Sequence, residues 1–296
     1  MPFKFIKSAF ITIALLFTTA CNRVGLFVIN FPTYFASHYT YHKNIAYGSQ
    51  PWQMLDVYMP KKVKNAPVIT FYYGGAWTSG AKEKYKFVAD MLTKHGYVVV
   101  IPDYVKYPHK KYPAYQIDAA LSTKWIVQNI HNYAGNADNM HFIGHSAGAH
   151  IGIMLIADRH YLQDQGLLPT IYKSFVGLSG PYHFTPKEPK YQEIFSEIDT
   201  YKKMQASHFI QGTEPPMLLI HGNADQLVGS INIDLLTLAI KEKNGHYMVK
   251  TYDDVDHIDT VLTFSSLLKR NENIKNDVLV FLNKTQERLV NKASHD

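Results

Sequence analysis

The stretch Met140 to His150, MHFIGHSAGAH, constrains the folding of this 296-residue chain more than any other. His141, Phe142 and Ile143 read as a short buried strand, and the small-residue segment Ala147 to Ala157 is compatible with a helix. Between them lies Gly144-His145-Ser146-Ala147-Gly148, a GxSxG junction. A strand that reverses into a helix within two residues holds its central residue in a strained turn, and flanking glycines avoid side-chain collisions there. The turn pushes the Ser146 hydroxyl out above the sheet edge, which makes Ser146 a candidate nucleophile.

The rest of the chain supplies a sheet for that junction. Gln53 to Met59 reads as an early strand stopped by Pro60, and Pro67 to Tyr73 is a continuous apolar run of the kind buried on both faces. Lys82 to His95 has helical spacing closed by Gly96, Tyr97 to Ile101 is a further buried strand, and Ala114 to His131 is a second helix. Phe175 to Leu178, Met217 to Ile220 and Tyr247 to Tyr252 complete the strand candidates. Strands alternating with helices imply an α/β fold with a largely parallel sheet covered on both sides. With 46% hydrophobic residues, the chain is long enough for one large domain, expected over 51–296 with a cap insertion at about 180–216. Residues 21–50 are rich in aromatics without a clean period, and are expected to drape over the domain as a tether or as part of a cap.

In parallel sheets chemistry gathers beyond the carboxyl ends of the strands. There the sequence places Gly74-Gly75-Ala76, Pro102-Asp103, Ser146, Ser179-Gly180, the HGNAD run ending at Asp225, and Asp253 to His257. A serine hydroxyl needs a base within hydrogen-bond reach, and the base needs an acid to fix its tautomer. Of the 15 histidines, His257 follows the last strand and is the candidate base. Asp225, after a buried strand and a tight glycine-containing loop, is the candidate acid; Asp256 reaches the imidazole only locally. Attack on a carbonyl creates an oxyanion, and Gly74-Gly75-Ala76 lets backbone N–H groups turn inward without Cβ obstruction, to be joined by the Ala147 N–H.

These motifs resemble those of a known family. Tyr73-Gly74-Gly75-Ala76-Trp77 is similar to the HGGxW or HGGG motif of α/β-hydrolase esterases related to hormone-sensitive lipase and to the feruloyl-esterase-like and kynurenine-formamidase-like groups. Leu55-Asp56-Val57-Tyr58-Met59-Pro60 resembles the entry strands of that group, and Pro102-Asp103-Tyr104 with Pro108 resembles its DYRLxP segment. The resemblance covers roughly residues 45–285 and implies an α/β-hydrolase fold with a small cap. It further implies Ser146 as nucleophile, Asp225 as acid, His257 as base, and Gly75 and Ala76 as loop donors of the oxyanion hole. Two positions depart from it: Tyr73 stands where the motif has its bracing histidine, and Val105 where DYRLxP has arginine. His145 and Trp77 are expected around the pocket, with Trp77 and Tyr182 lining a slot for short acyl chains. A carboxylic ester is the expected substrate, through an acyl-enzyme and with no metal or organic cofactor. The rivals are a formamide hydrolase and a silent fold used for binding.

At the N-terminus, Lys4 and Lys7 precede the apolar run Ala9 to Phe17, then Thr18-Thr19-Ala20 and Cys21. This is an export-signal pattern over residues 1–20. The sole cysteine stands where bacterial lipoprotein signals place the lipidated residue, although Thr18 occupies the position of a usual leucine. The expectation is a lipid anchor at Cys21 and, with Asn22 next to it, the outer membrane. One cysteine excludes an intrachain disulfide. The net charge of +6 is spread over scattered residues, a pattern of solubility rather than of nucleic-acid binding.

Overall fold

The structure, a computed structural model, describes residues 28–268 and 271–293, so the expected signal segment and Cys21 lie outside the described residues. The strands are β1 (Tyr39–Ala46), β2 (Met54–Pro60), β3 (Ala66–Tyr72), β4 (Val98–Pro102), β5 (Gly135–His145), β6 (Tyr172–Leu178), β7 (Met217–Gly222) and β8 (Tyr247–Tyr252). They form an eight-stranded sheet in the order β1-β2-β4-β3-β5-β6-β7-β8. β2 runs antiparallel to both β1 and β4. From β4 to β8 every pairing is parallel. Parallel strands are covered on both faces, which is why β4 and β7 are buried throughout and read as unbroken apolar runs.

The long helices are α1 (Lys86–Lys94), α2 (Ala114–Asn129), α3 (Ala147–Ala157), α4 (Ile231–Glu242) and α5 (Glu272–Ala293). Side-chain alternation sends neighbours on β3 to opposite layers. Tyr72 reaches α2, its hydroxyl 2.7 Å from Ser122 Oγ, while Phe71 packs on Tyr85. Every residue of α3 is buried, as expected of a helix that is apolar all round and lies in the middle of its layer. The segment between β6 and β7 holds one short helix, Pro189–Ile194, and the single turns Tyr201–Met204 and Ala206–His208.

Part of the N-terminal segment is regular structure joined to the domain. Its residues 39–46 are the edge strand β1, and Asn30 caps α1 from outside: Oδ1 accepts the Phe87 N–H at 3.0 Å and Nδ2 donates to Lys84 O at 2.8 Å. β1 escaped pattern reading because only Tyr39 is buried in it, so no alternation is visible, and because its register slips between His42 and Ile45, where Asn44 takes a left-handed φ of 54°. β5 likewise begins at Gly135, well ahead of its apolar run, because the polar residues there still pair with β3.

One glycine of α3 exposes how tightly this layer is packed. A Cβ at Gly152 would lie 2.1 Å from the ring of Phe142, itself enclosed by Tyr72, Tyr172 and Phe175. Alanine in a helix is worth about 1 kcal/mol over glycine, but overpacking a core costs about 1–3 kcal/mol. Gly152→Ala is therefore expected to lower stability by up to about 2 kcal/mol, read from the urea midpoint. A raised midpoint would contradict this packing.

Candidate active site

Ser146 closes the β5 to α3 reversal at φ 55° and ψ −124°. A non-glycine residue there stores about 1–3 kcal/mol and stays only where its surroundings over-determine it. Here the Ser146 N–H donates to Leu178 O on β6 at 2.9 Å, and its carbonyl accepts from the N–H groups of Ala149 and His150. Neither glycine of the junction has room for a side chain. A Cβ on Gly148 would lie 2.1 Å from Tyr72 O, and one on Gly144 2.5 Å from Gly148 O.

Three side chains from three loops form one hydrogen-bonded chain. His257 Nδ1 is 2.8 Å from Asp225 Oδ2, and His257 Nε2 is 2.8 Å from Ser146 Oγ. A carboxylate only accepts, so the imidazole proton sits on Nδ1 and the Nε2 lone pair faces the serine hydroxyl. The other oxygen of Asp225 accepts the N–H groups of Leu227 and Val228, each at 2.9 Å. Burial alone would raise the Asp225 pKa, but the hydrogen bond from His257 and these backbone donors outweigh it and hold the group at about 2. Asp256 takes no part in the chain; its carboxylate accepts the N–H groups of Ile258 and Asp259.

The histidine backbone is also held. His257 O accepts from His145 Nε2–H and from Thr260 Oγ1–H, both at 2.9 Å. Burial, with the His257 ring alongside, pushes the His145 pKa down to about 3, so His145 acts as a neutral donor. The sequence alone places it around the pocket. Its position immediately before the serine was the one signal that it touches the machinery.

The glycine loop abuts the serine. A Cβ on Gly74 would lie 2.8 Å from Ser146 Cβ, and Gly75, Ala76 and Trp77 follow at φ 131°, 50° and 57°. Backbone N–H groups in successive turn conformations make concave anion sites. Ala147 opens α3, where the first N–H groups of a helix have no intrahelical acceptor. The structure thus sets the loop that carries Gly75 and Ala76 against the serine at Gly74, with Ala147 next to Ser146 in the chain.

Both departures from the family motif have a physical explanation. The Tyr73 hydroxyl donates to Asp103 Oδ1, and its ring stacks on Tyr85 and Tyr104 at 5.3 and 5.1 Å. Burial raises the Tyr73 pKa well above the usual phenol value, so it stays a donor. Val105 is buried, and its N–H donates to Asp118 at 2.7 Å; Lys106 Nζ, 3.9 Å from Asp103, places a cation near the carboxylate instead.

Trp77 and Tyr182, expected to line an acyl slot, are both buried. Tyr182 is 1% exposed and folds back on Gly177 and Gly180, where a Cβ would meet its ring or hydroxyl at 2.1–2.2 Å. Trp77, 3% exposed, is the hub of an aromatic cluster with Tyr115, His150, Phe184, Tyr191 and Phe195. Bulky rings that follow glycines pack inward wherever space is left, and sequence does not reveal that space. A recess of about 620 Å³ does occur in the cap, between Pro189 and Tyr201, but no triad residue lines it. Among the described residues no His, Cys, Asp and Glu group is arranged to hold a metal ion.

A family model described as BD-FAE matches residues 55–170, which include the glycine loop and the serine. The chain is 26% identical over 279 residues to a probable isoprenylcysteine alpha-carbonyl methylesterase of Oryza sativa subsp. japonica, covering 86% of this chain and 65% of that protein. It is 26% identical to Esterase LipC of Mycobacterium tuberculosis over 64% of this chain and 52% of that one. The chain thus spans less than two thirds of the length of these relatives. Among solved structures, Esterase B from Lactobacillus rhamnosis superposes with a TM-score of 0.77 at 16% identity, covering 96% of this chain and 98% of its own. The fold is that of the α/β-hydrolases. Within that fold the triad loops follow β5, β7 and β8, and the glycine loop follows β3.

The depressed Asp225 pKa makes a prediction about stability. Its ordinary value is 3.8 and its folded value about 2, so the contribution is fully present above about pH 4 and is lost as pH falls through about 2. Urea midpoints of wild type and Asp225→Asn should differ more at about pH 6 than at about pH 2.5. An equal gap at both would show that the carboxylate is not selectively stabilised.

Proposed function

We propose that this α/β-hydrolase is a serine carboxylesterase that cleaves short-chain carboxylic esters through an acyl-enzyme. The observation that carries the reading is the chain of two 2.8 Å hydrogen bonds from Ser146 through His257 to Asp225, set beside the left-handed loop at Gly75 and Ala76. The likeness to esterase sequences and folds supports it. Ser146 Oγ attacks the ester carbonyl as its proton passes to His257 Nε2. The carbonyl electrons become an oxyanion facing the Gly75, Ala76 and Ala147 N–H groups, each donor of this kind being worth about 3 kcal/mol. Collapse expels the alcohol, which takes the proton back from Nε2. Water then repeats the sequence on the acyl-enzyme, releasing the acid and restoring Ser146.

Short acyl chains are supported by the Trp77 cluster, which fills the space beside Ala76 and the start of α3 with rings. Each added methylene contributes about 0.8 kcal/mol only where it fits. A ladder of nitrophenyl esters is expected to peak near acetate to butyrate in kcat/KM and to fall steeply toward palmitate; a long-chain optimum would overturn this. A fluorophosphonate probe should label wild type and not Ser146→Ala, whose kcat should fall by about 10⁵-fold or more, with Asp225→Ala losing about 10⁴-fold. Labelling of both proteins would remove Ser146 from its role. A formamide hydrolase would use the same groups, and turnover of an aryl formamide in preference to every ester would favour it.

We also propose that the protein is exported and tethered by lipid at Cys21, to the outer membrane. The order of charged, apolar and small residues before Cys21 supports this. So does the exposure of Val28, Phe31, Tyr34 and Phe35, with Lys86 Nζ 4.8 Å from the Tyr34 ring, a mixture suited to a membrane–water interface. Among the described residues no helix is long and apolar enough to cross a membrane. Mass spectrometry of the mature protein should find a diacyl or triacyl modification on an N-terminal cysteine, and an unmodified terminus elsewhere would refute the tether.

A further inference from the structure

The loop from Tyr73 to Lys82 carries a burden that its own sequence does not support. Ala76 and Trp77 take left-handed backbone conformations without being glycine, at φ 50° and 57°. Such conformations persist only when neighbours enforce them. Beside the ring contacts of Trp77, the hydrogen bonds that tie this loop to the rest of the chain come largely from one short segment, Asp103 to Tyr107. Asp103 Oδ1 accepts the Tyr73 hydroxyl at the start of the loop and the Lys82 N–H, at 3.0 Å, at its end. Between these, the Tyr107 N–H donates to Trp77 O at 2.9 Å, and the Tyr104 hydroxyl donates to Tyr73 O at 3.1 Å.

The clamping segment is itself fixed to the sheet. The Asp103 N–H donates to Met54 O at 2.8 Å, and its carbonyl accepts the Tyr47 hydroxyl at 2.6 Å. The far end of the loop has a second anchor, since the buried Lys82 ammonium lies 3.0 Å from Asp56 and donates to Asn44 Oδ1 at 2.6 Å. One carboxylate therefore joins the two ends of the loop that abuts Ser146 at Gly74. Burial raises the Asp103 pKa, against the Tyr73 hydrogen bond and the nearby Lys106.

We propose that Asp103 is a positioning residue for the oxyanion hole, acting through Tyr73 and Lys82, and that Tyr73 with Asp103 does here what the motif histidine does by other contacts. This rests on the esterase reading for its kinetic consequence, but not for its structural one. Fixed donors matter most where charge develops, so loosening the loop acts on the transition state and not on substrate binding.

The test compares Asp103→Asn and Tyr73→Phe with wild type. For nitrophenyl acetate, kcat should fall about 10–100-fold with KM changed less than about threefold. The inhibition constant of a trifluoromethyl ketone, which forms an oxyanion on serine, should rise by the factor that kcat/KM loses. The double variant should be little worse than the worse single one, because both remove the same link. In hydrogen exchange followed by mass spectrometry, amides of 74–82 should exchange faster in both variants, while those of 217–222 should not change. Unchanged exchange in 74–82 would overturn the proposal, as would lowered thermal stability with kcat and ketone affinity intact. Should Asp103→Asn fail to fold, Tyr73→Phe, which keeps the ring stack, carries the same readouts. A wild type without ester turnover would remove the esterase reading alone, and the exchange measurement would still decide the clamp.

Discussion

Close approach of backbone to backbone at the end of β5 is the constraint on which the rest of the structure depends. Ser146 can stand at φ 55° only because α3 presses its first turn against β3, with Gly148 against Tyr72 O. Any side chain at Gly148 would push α3 away from the sheet. The serine would then lose its place beside Gly74, and the hydrogen bond that ties its N–H to β6 would be strained. The strain at one residue is borne by a sheet that is buried on both faces, and this is why a site built on loops is held to hydrogen-bond accuracy.

Around that point the charges are arranged to hold the His257 ring in place. Asp225 is held ionised by the His257 N–H and two backbone donors, whereas His145 is held neutral by burial. His257 is thereby oriented at both ends, through its ring by Asp225 and through its carbonyl by His145 and Thr260. Preorganisation of this kind spares reorganisation when the proposed oxyanion forms. The glycine loop follows the same logic, with Asp103 proposed to take the part that Asp225 takes for the histidine: a half-buried carboxylate, one oxygen of which accepts from both ends of the loop.

Much of the fold was legible because burial on both faces leaves a plain mark. β3, β4, β6 and β7 announce themselves as apolar runs, and the strand-before, helix-after setting of the serine needs no tertiary information. β1 left no mark, since an edge strand with only Tyr39 buried and a left-handed Asn44 has no alternation to read. Candidate site residues were legible where the chain supplies them at strand ends, as with Ser146, Asp225 and His257. They were not legible where a side chain acts across the fold: His145 lies 112 residues from the carbonyl it holds, and Tyr73 lies 30 residues from Asp103.

The sequence by itself determined the order of the strands from β2 onward, the turn that presents Ser146, and the identity of the acid and base candidates, because each of these follows from local periodicity, glycine spacing or position after a strand. Only the tertiary structure decided which direction each aromatic ring faces. Tyr182 turned into the core because Gly177 and Gly180 left room for its ring there, and Trp77 turned into a cluster of other rings. It also decided what Tyr73 meets at the head of the glycine loop, since that depends on a carboxylate delivered after a different strand. Local sequence sets what a segment can become. The long-range contacts that select among those options are made by residues far apart in the chain, and they exist only once the sheet has brought them together.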